Sequence, residues 1–166
     1  ARLGAALGPG TAVTTNGDDC AAALRACGVA RPFLVFPPWF AEETLGAGLA
    51  HFEARGFAPA GGVRHRPEAK WREVPPRELY ARRMQMEQRP DLLREQVTAE
   101  CPAEADGVLL VGTGLRCVGV IEDLEATLGR PVVTANQAGL WRCLGLAGVT
   151  APVRGYGSLF ERAVPG

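Results

Sequence analysis

Short apolar runs alternate with segments of helical periodicity along most of this chain. Pro32 to Phe36 and Val108 to Val111 contain no polar side chain, which is typical of strands buried on both faces of a parallel sheet. Pro131 to Thr134 is a further strand candidate. After the second run, apolar residues recur on one helical face at Leu115, Val118, Ile121, Leu124 and Leu128. Residues 107–148 therefore predict strand, helix, strand, helix, an alternation that implies a parallel sheet with right-handed crossovers.

The remaining elements follow from turn and cap residues. Asn16-Gly17 is a turn signal, and Gly28 and Gly56 predict helix ends. The pattern predicts short strands at Thr11 to Thr15 and Phe57 to Gly61. It predicts helices at Cys20 to Cys27, at Trp39 to Arg55, from Pro76 onward and at Asp91 to Glu100. Residues 62–76 are expected to form an irregular loop, and residues 151–166 an extended tail that packs across the surface.

Composition narrows the class of protein. The 166 residues are 47% hydrophobic and 22% charged with a formal net charge of zero, which argues against nucleic acid or an anionic membrane as a partner. No apolar run approaches the ~18 residues of a membrane span, and no signal peptide is found. The chain begins at Ala1 rather than Met, so a fragment or a processed product is expected.

The cysteines and histidines do not form a metal-binding pattern. Five scattered cysteines without a CxxC pair, and only two histidines, argue for free thiols in a reducing, cytoplasmic compartment. We expect neither a metal nor an organic cofactor.

Candidate chemistry lies where strands end, because open parallel sheets bind ligands beyond their carboxyl edge. Three such turns are Pro37 to Phe40, Gly112 to Gly114 and Thr134 to Gln137. Each is predicted to lead into a helix, whose free N–H groups suit a carboxylate or phosphate. The same turns occur in many α/β proteins, and neither a phosphate-binding P-loop nor a complete dinucleotide fingerprint is present.

The residues resemble a known family. GVLLVGTGLRCVGVIEDLEATLGRPVVTANQAGLW (107–141) is similar to the second-half active-site segment of maleate cis-trans isomerases and arylmalonate decarboxylases, in the Asp/Glu racemase group. Diffuse similarity extends over Thr14 to Phe40, Val74 to Arg83 and Arg154 to Phe160. The segment from Leu110 to Leu140 carries the most specific part of the resemblance.

The resemblance implies a Rossmann-like, three-layer α/β fold built as two similar halves that face a cleft, with the N-terminal part of the first half absent. It divides the chain into residues 1–30, a remnant of the first half and a linking helix; 31–134, the second half-domain; and 135–166, a crossover helix and a tail that returns to the first half.

The implied function is a cofactor-independent isomerase, racemase or decarboxylase acting on a small carboxylic or dicarboxylic acid. The family uses a cysteine thiolate, and adjoining donors stabilise enediolate-like charge. Here Gly112 stands at the position of the family cysteine. The resemblance leaves Gly112, Thr113 and Gly114 as possible donors to a carboxylate. Trp39 and Phe40 lie where the family places a substrate-facing aromatic residue, and the alignment leaves open by one position which of them it is. Asn136 matches a family site residue, with a helix cap as the alternative.

Three hypotheses stay open. One is an active enzyme whose thiol comes from the first half, and the second is a non-catalytic relative that binds a small acid. The third is a flavodoxin-like interaction domain whose resemblance is accidental. Cys117 is the obvious substitute thiol, but we interpret it as a packing residue, and the oligomeric state, including a homo-oligomer, is left open.

Overall fold

Four parallel strands form one sheet in the computed structural model, which describes residue 8 and residues 11–162. They are β1 (Pro32–Phe36), β2 (Gly61–Arg64), β3 (Gly107–Leu110) and β4 (Val132–Thr134), in the order β2-β1-β3-β4. Val35 pairs with Leu110, and Leu110 pairs with Thr134. The carboxyl ends of the three neighbouring strands β1, β3 and β4 therefore lie side by side.

Helices follow the strands as the alternation predicted. They are α1 (Asn16–Ala26), α2 (Glu42–Glu53), the one-turn α3 (Pro76–Leu79), α4 (Pro90–Glu100), α5 (Ile121–Leu128) and α6 (Ala135–Leu146). Short 3-10 turns occur at Ala69–Trp71, Met84–Met86, Val118–Val120 and Ser158–Glu161. No helix among the described residues is long and apolar enough to cross a membrane.

The sheet is the middle of three layers. Leu34, Phe36 and Leu109 pack with residues of α1, α2 and α6, whereas Phe33 and Val35 pack with residues of α4 and α5. Every residue of β1, β3 and β4 is buried, because alternate side chains enter opposite helical layers. The predicted fold class, a Rossmann-like three-layer parallel sheet, is confirmed.

Several predicted boundaries are wrong. Residues 11–15 form no strand; instead the Thr15 hydroxyl caps α1 by accepting from the Asp18 N–H at 3.3 Å. The weak strand expected over Phe57 to Gly61 begins only at Gly61. Phe57 is buried against Phe52 and belongs to the connection rather than to the ladder. The tail is not wholly extended, because Leu159 and Phe160 are buried in a 3-10 turn.

The helix expected directly after Gly114 is also displaced, since α5 begins only at Ile121. Leu115 and Cys117 are buried within an irregular connection. Gly114 and Gly119 disfavour regular helix there. Likewise α2 begins at Glu42, so Trp39 and Phe40 lie in the preceding turn. The Gly112 turn therefore does not lie at a helix N-terminus, and any anion binding there must come from the turn's own amides.

Candidate active site

The turn after β3 presents three consecutive free amides. Val111 donates to Val35 O at 2.8 Å and ends the ladder, after which Gly112 turns the chain at φ 83°. Among the described residues, no protein acceptor is bonded to the N–H groups of Gly112, Thr113 or Gly114. Successive free amides in a turn with one left-handed residue form a concave set of donors that suits an anion.

The turn after β1 packs directly against these amides. A Cβ placed on Gly112 would lie 2.7 Å from Pro37 Cγ and 3.5 Å from Phe40 Cζ. A Cβ on Gly114 would lie 2.8 Å from Trp39 Cζ2. Both glycines are thus in close contact with the aromatic turn, and a larger residue at either position would displace Pro37 or Trp39.

Asn136 joins the third strand end to the same turn. Its Nδ2 donates to Thr113 O at 2.9 Å. The cap of α6 is Thr134, whose hydroxyl accepts from the Gln137 N–H at 3.1 Å, while Gln137 Oε1 accepts from the Thr134 N–H at 3.1 Å. The alternative prediction that Asn136 caps the helix is therefore wrong, and its side chain instead fixes the Gly112 turn through the bond to Thr113 O.

The six predicted site residues thus lie together at the carboxyl edge of β1, β3 and β4. They are Trp39, Phe40, Gly112, Thr113, Gly114 and Asn136. Their proximity follows from strand order and register. Their role in binding or catalysis stays a prediction.

Gln88 supports the Gly112 turn, although no sequence pattern predicts this role. It is buried, and its Nε2 donates to Gly114 O and to Gln85 O, each at 2.8 Å. Its Oε1 accepts from the Arg116 N–H at 3.3 Å. One glutamine in an irregular segment gives no motif and no periodicity, so no sequence signal pointed to it.

A cavity of about 260 Å³ opens beside the turn. Its polar groups include Asn16, Thr44 and His51, and the rest of its wall is mostly apolar: Gly17, Cys20, Phe36, Phe40, Ala47, Gly48, Phe52, Leu109 and Val111. His51 Nδ1 lies 3.1 Å from Arg55 Nη1, which can only donate, so the neutral ring carries its proton on Nε2. That Nε2 is buried and has no partner among the described residues.

None of the buried cysteines has the environment of an activated thiol. Burial raises the pKa of Cys20 to about 12 and that of Cys117 to about 11. Burial also raises the pKa of Cys27 and of the half-buried Cys101. Cys117 Sγ donates to Leu115 O at 3.4 Å inside the core, in keeping with its interpretation as a packing residue. Within the described part of the chain, no group of three or more His, Cys, Asp or Glu side chains could hold a metal ion.

Comparison with known proteins identifies the relatives of this arrangement. The arylmalonate decarboxylase family model matches residues 83–160, which include the Gly112 turn, Gln88 and Asn136. Over 65 residues the chain is 42% identical to the arylmalonate decarboxylase of Bordetella bronchiseptica, covering 39% of this chain and 27% of that protein. The family resemblance is confirmed. The chain thus aligns with about a quarter of the curated relative's length.

The solved structures extend the likeness over most of the fold. An unliganded arylmalonate decarboxylase superposes with a TM-score of 0.75 and 26% identity, covering 97% of this chain and 68% of that one. A mutant of the Nocardia farcinica maleate cis-trans isomerase, solved with a covalently bound succinylcysteine intermediate, gives a TM-score of 0.68 and 20% identity. It covers 95% of this chain and 59% of the isomerase. At that identity the isomerase supports the fold alone.

Proposed function

We propose that this chain carries the acid-binding half of a cofactor-independent isomerase or decarboxylase that acts on a small carboxylic acid. The observation that carries the proposal is the set of three unpaired amides at Gly112, Thr113 and Gly114. They lie within the segment matched by the arylmalonate decarboxylase family and directly follow Val111, which lines a cavity of about 260 Å³. Racemisation at a carbon next to a carboxylate is a third reaction that the same donors would support.

The amides would act by stabilising charge on a carboxylate. When a C–C bond to a departing CO₂ breaks, its electron pair moves into the remaining acid and forms an enediolate, which a proton donor then quenches at carbon. Fixed N–H groups favour that charge because they need no reorganisation when it develops, and one such donor is typically worth about 2.7–4 kcal/mol in the barrier. Asn136 and Gln88 hold the carbonyls of Thr113 and Gly114, so they would keep the amides aimed outward.

The thiol of this reaction would come from outside the described residues. Gly112 stands where the family cysteine is expected, and the four cysteines whose pKa is shifted all shift upward. A thiolate is the reactive form, so these groups are poor candidates near neutral pH. The fifth cysteine, Cys143, is exposed on α6 and does not line the cavity beside the turn. The succinylcysteine adduct in the Nocardia farcinica isomerase shows that a cysteine reacts covalently in that relative.

The test is turnover of maleate, phenylmalonate and the enantiomers of aspartate and glutamate in D₂O, followed by proton NMR, which detects racemisation as loss of the α-proton signal. The proposal expects conversion of one of these acids without added cofactor. Asn136→Ala should lower kcat/KM about tenfold or more through loss of the Thr113 contact, whereas Thr98→Ala on the exposed face of α4 should not. A folded protein that converts none of them would refute the catalytic proposal.

Glycine at the position of the family cysteine favours a second candidate, a non-catalytic relative that binds a small acid. Thermal unfolding with and without malonate or succinate separates the two. Saturable stabilisation without turnover supports the second candidate, and stabilisation with turnover supports the first. Absence of any stabilisation by these acids counts against both.

The localisation, the division into half-domains and the oligomeric state also stay proposals. We propose a cytoplasmic protein and the division at residues 30 and 134, with a homo-oligomer left open. Size-exclusion chromatography with light scattering and proteolysis of the intact protein would test the last two.

A further inference from the structure

A second cavity, of about 400 Å³, lies at the carboxyl end of β2 and is walled by the segment after that strand. We call it the β2-end cavity. Its polar lining comes from Arg64, His65, Arg66, Trp71 and Arg72, and none of its lining side chains is a carboxylate. Val74 and Leu79 are among the apolar residues that form the rest of the wall. The residues of the Gly112 turn do not line it.

Two hydrogen-bond donors of this lining are unsatisfied. Trp71 Nε1 and Arg64 Nε are both buried and have no acceptor within the described part of the chain. A buried donor without a partner costs about 1–3 kcal/mol, so native proteins rarely retain one without a reason. Two of them on residues that line one cavity point to a missing acceptor.

The charged side chains of the cavity also favour an acceptor that carries negative charge. Arg64 Nη2 pairs with Glu42 at 2.7 Å, and Arg66 pairs with Glu100. Arg72 donates through Nε to Pro67 O at 3.2 Å and has no carboxylate within 4.0 Å among the described residues. One guanidinium is therefore left without a counter-ion, and a singly charged acceptor would match it better than a dianion.

We infer that the β2-end cavity binds a small organic acid through its carboxylate, at a site separate from the Gly112 turn. The carboxylate would accept from the exposed Arg72 guanidinium, and from Trp71 Nε1 and Arg64 Nε once these side chains turn their buried N–H groups toward the cavity. The apolar body of the acid would lie against Val74 and Leu79. The inference does not depend on the proposed function, because it uses none of the residues of that site.

The test is a titration of the ¹⁵N-labelled 166-residue chain with benzoate, read at the indole N–H signals. The indole of Trp71 is assigned with Trp71→Phe. Trp141 is an internal control, because its Nε1 already donates to Arg162 O at 3.2 Å. We expect a saturable shift of the Trp71 indole, no comparable shift at Trp141, and weaker binding of inorganic phosphate than of benzoate.

Arg72→Gln should weaken benzoate binding about tenfold or more, as the loss of a charge-assisted hydrogen bond predicts. Arg31→Gln is the matched control, because Arg31 is exposed and its side chain makes no polar contact in the described structure. A Trp71 indole unmoved by benzoate, or equal affinity in both variants, would overturn the inference. If Arg72→Gln does not fold, tighter binding of phosphate than benzoate by the unmodified chain would also overturn it.

The same spectra separate this site from the first one. Shifts of the Thr113 and Gly114 amides report acid binding at the Gly112 turn, whereas the Trp71 indole reports the β2-end cavity. A Trp71 shift without amide shifts would support the inference while counting against the proposed function. Amide shifts without a Trp71 shift would have the opposite meaning.

Discussion

Gly112 occupies a backbone conformation that other residues adopt at a cost. Its φ is 83°, and a Cβ there would lie 2.7 Å from Pro37 Cγ. Left-handed backbone at a non-glycine residue costs of order 1–3 kcal/mol, and the contact with the rigid proline ring adds to it. A cysteine placed here would meet the same strain, so the turn is shaped for glycine.

We therefore expect Gly112→Ala to lower the free energy of unfolding by about 1–3 kcal/mol. Chemical denaturation followed by circular dichroism measures it. Gly46→Ala is the control, since Gly46 lies in α2 at ordinary φ with nothing within 4 Å of its Cβ position. That change should be neutral or stabilise by up to about 1 kcal/mol. Equal effects of the two substitutions would contradict the strained geometry of the turn.

Gln88 holds the C-terminal end of the Gly112 turn through hydrogen bonds to Gly114 O and the Arg116 N–H. Gln88→Leu removes the partners of Gly114 O and of the Arg116 N–H, and we expect a loss of about 2 kcal/mol or more, since each unpaired buried group costs about 1–3 kcal/mol. Gln85→Ala should change stability far less, because Gln85 Oε1 already lacks a partner. Thermal unfolding of both variants decides this; similar losses would show that Gln88 acts only as packing volume.

At the scale of elements, the strands could be predicted because the signal is local. A short run of apolar residues between turn residues has one stable place in an α/β protein, and Pro32–Phe36 and Gly107–Leu110 are buried throughout, as predicted. Helix starts were predicted less well. The apolar spacing from Leu115 onward matches a helix, yet Leu115 and Cys117 are buried by an irregular path through the same core.

The candidate site divides in the same way. Residues at strand ends were predictable, since parallel topology brings those ends together whatever their side chains. The contacts that hold the turn were not, because Gln88 and Asn136 reach it from other parts of the chain. Such pairs depend on register and loop path, which local periodicity does not encode.

The buried His65, which follows β2 and donates to Gln96 on α4, makes the free energy of unfolding depend on pH. His65 is buried, and burial lowers its pKa below the ordinary 6.5; its Nδ1 donates to Gln96 Oε1 at 3.0 Å, while Arg66 and Glu100 are the charged groups nearby. Between the folded pKa and 6.5 the unfolded state binds more protons. This contribution is therefore complete above about pH 6.5 and decreases as the pH falls toward the folded pKa.

We expect the free energy of unfolding to decrease between pH 7 and pH 5, and His65→Gln to remove most of that slope. Denaturation at several pH values measures both. Asp18 and Asp91 have lowered pKa values, so their stabilising contributions are lost only at pH values below about their ordinary 3.8. A slope that survives in His65→Gln would show that another group is responsible.

At the scale of the molecule, the described residues form a three-layer core and leave several large apolar side chains exposed toward the C-terminal end of the chain. Leu140, Leu146, Val149, Val153 and Tyr156 are exposed on α6 and the segment after it. In the proposed division this region, within residues 135–166, returns to the first half-domain. Several exposed apolar residues close together in the sequence are typical of a segment that packs against another part of a protein. These exposed side chains are therefore consistent with a chain that aligns with 68% and 59% of the two solved relatives.

Thiol reactivity across the whole molecule tests where the chemistry can reside. Cys143 is exposed, Cys101 is half-buried, and Cys20 and Cys117 are buried with pKa values raised to about 12 and 11. Iodoacetamide at pH 7.5 should therefore modify Cys143 first and Cys101 more slowly. Cys20 and Cys117 should react only after denaturation, with peptide mass mapping as the readout.

Cys143→Ser is the control variant, and it should abolish the fast phase without changing the slower one. Rapid labelling of Cys20 would have a different meaning, because Cys20 lines the cavity beside the Gly112 turn. It would indicate that the pocket itself supplies a reactive thiol. In that case the described chain would contain the nucleophile that we now place outside it, and the assignment of a purely acid-binding half would have to be abandoned.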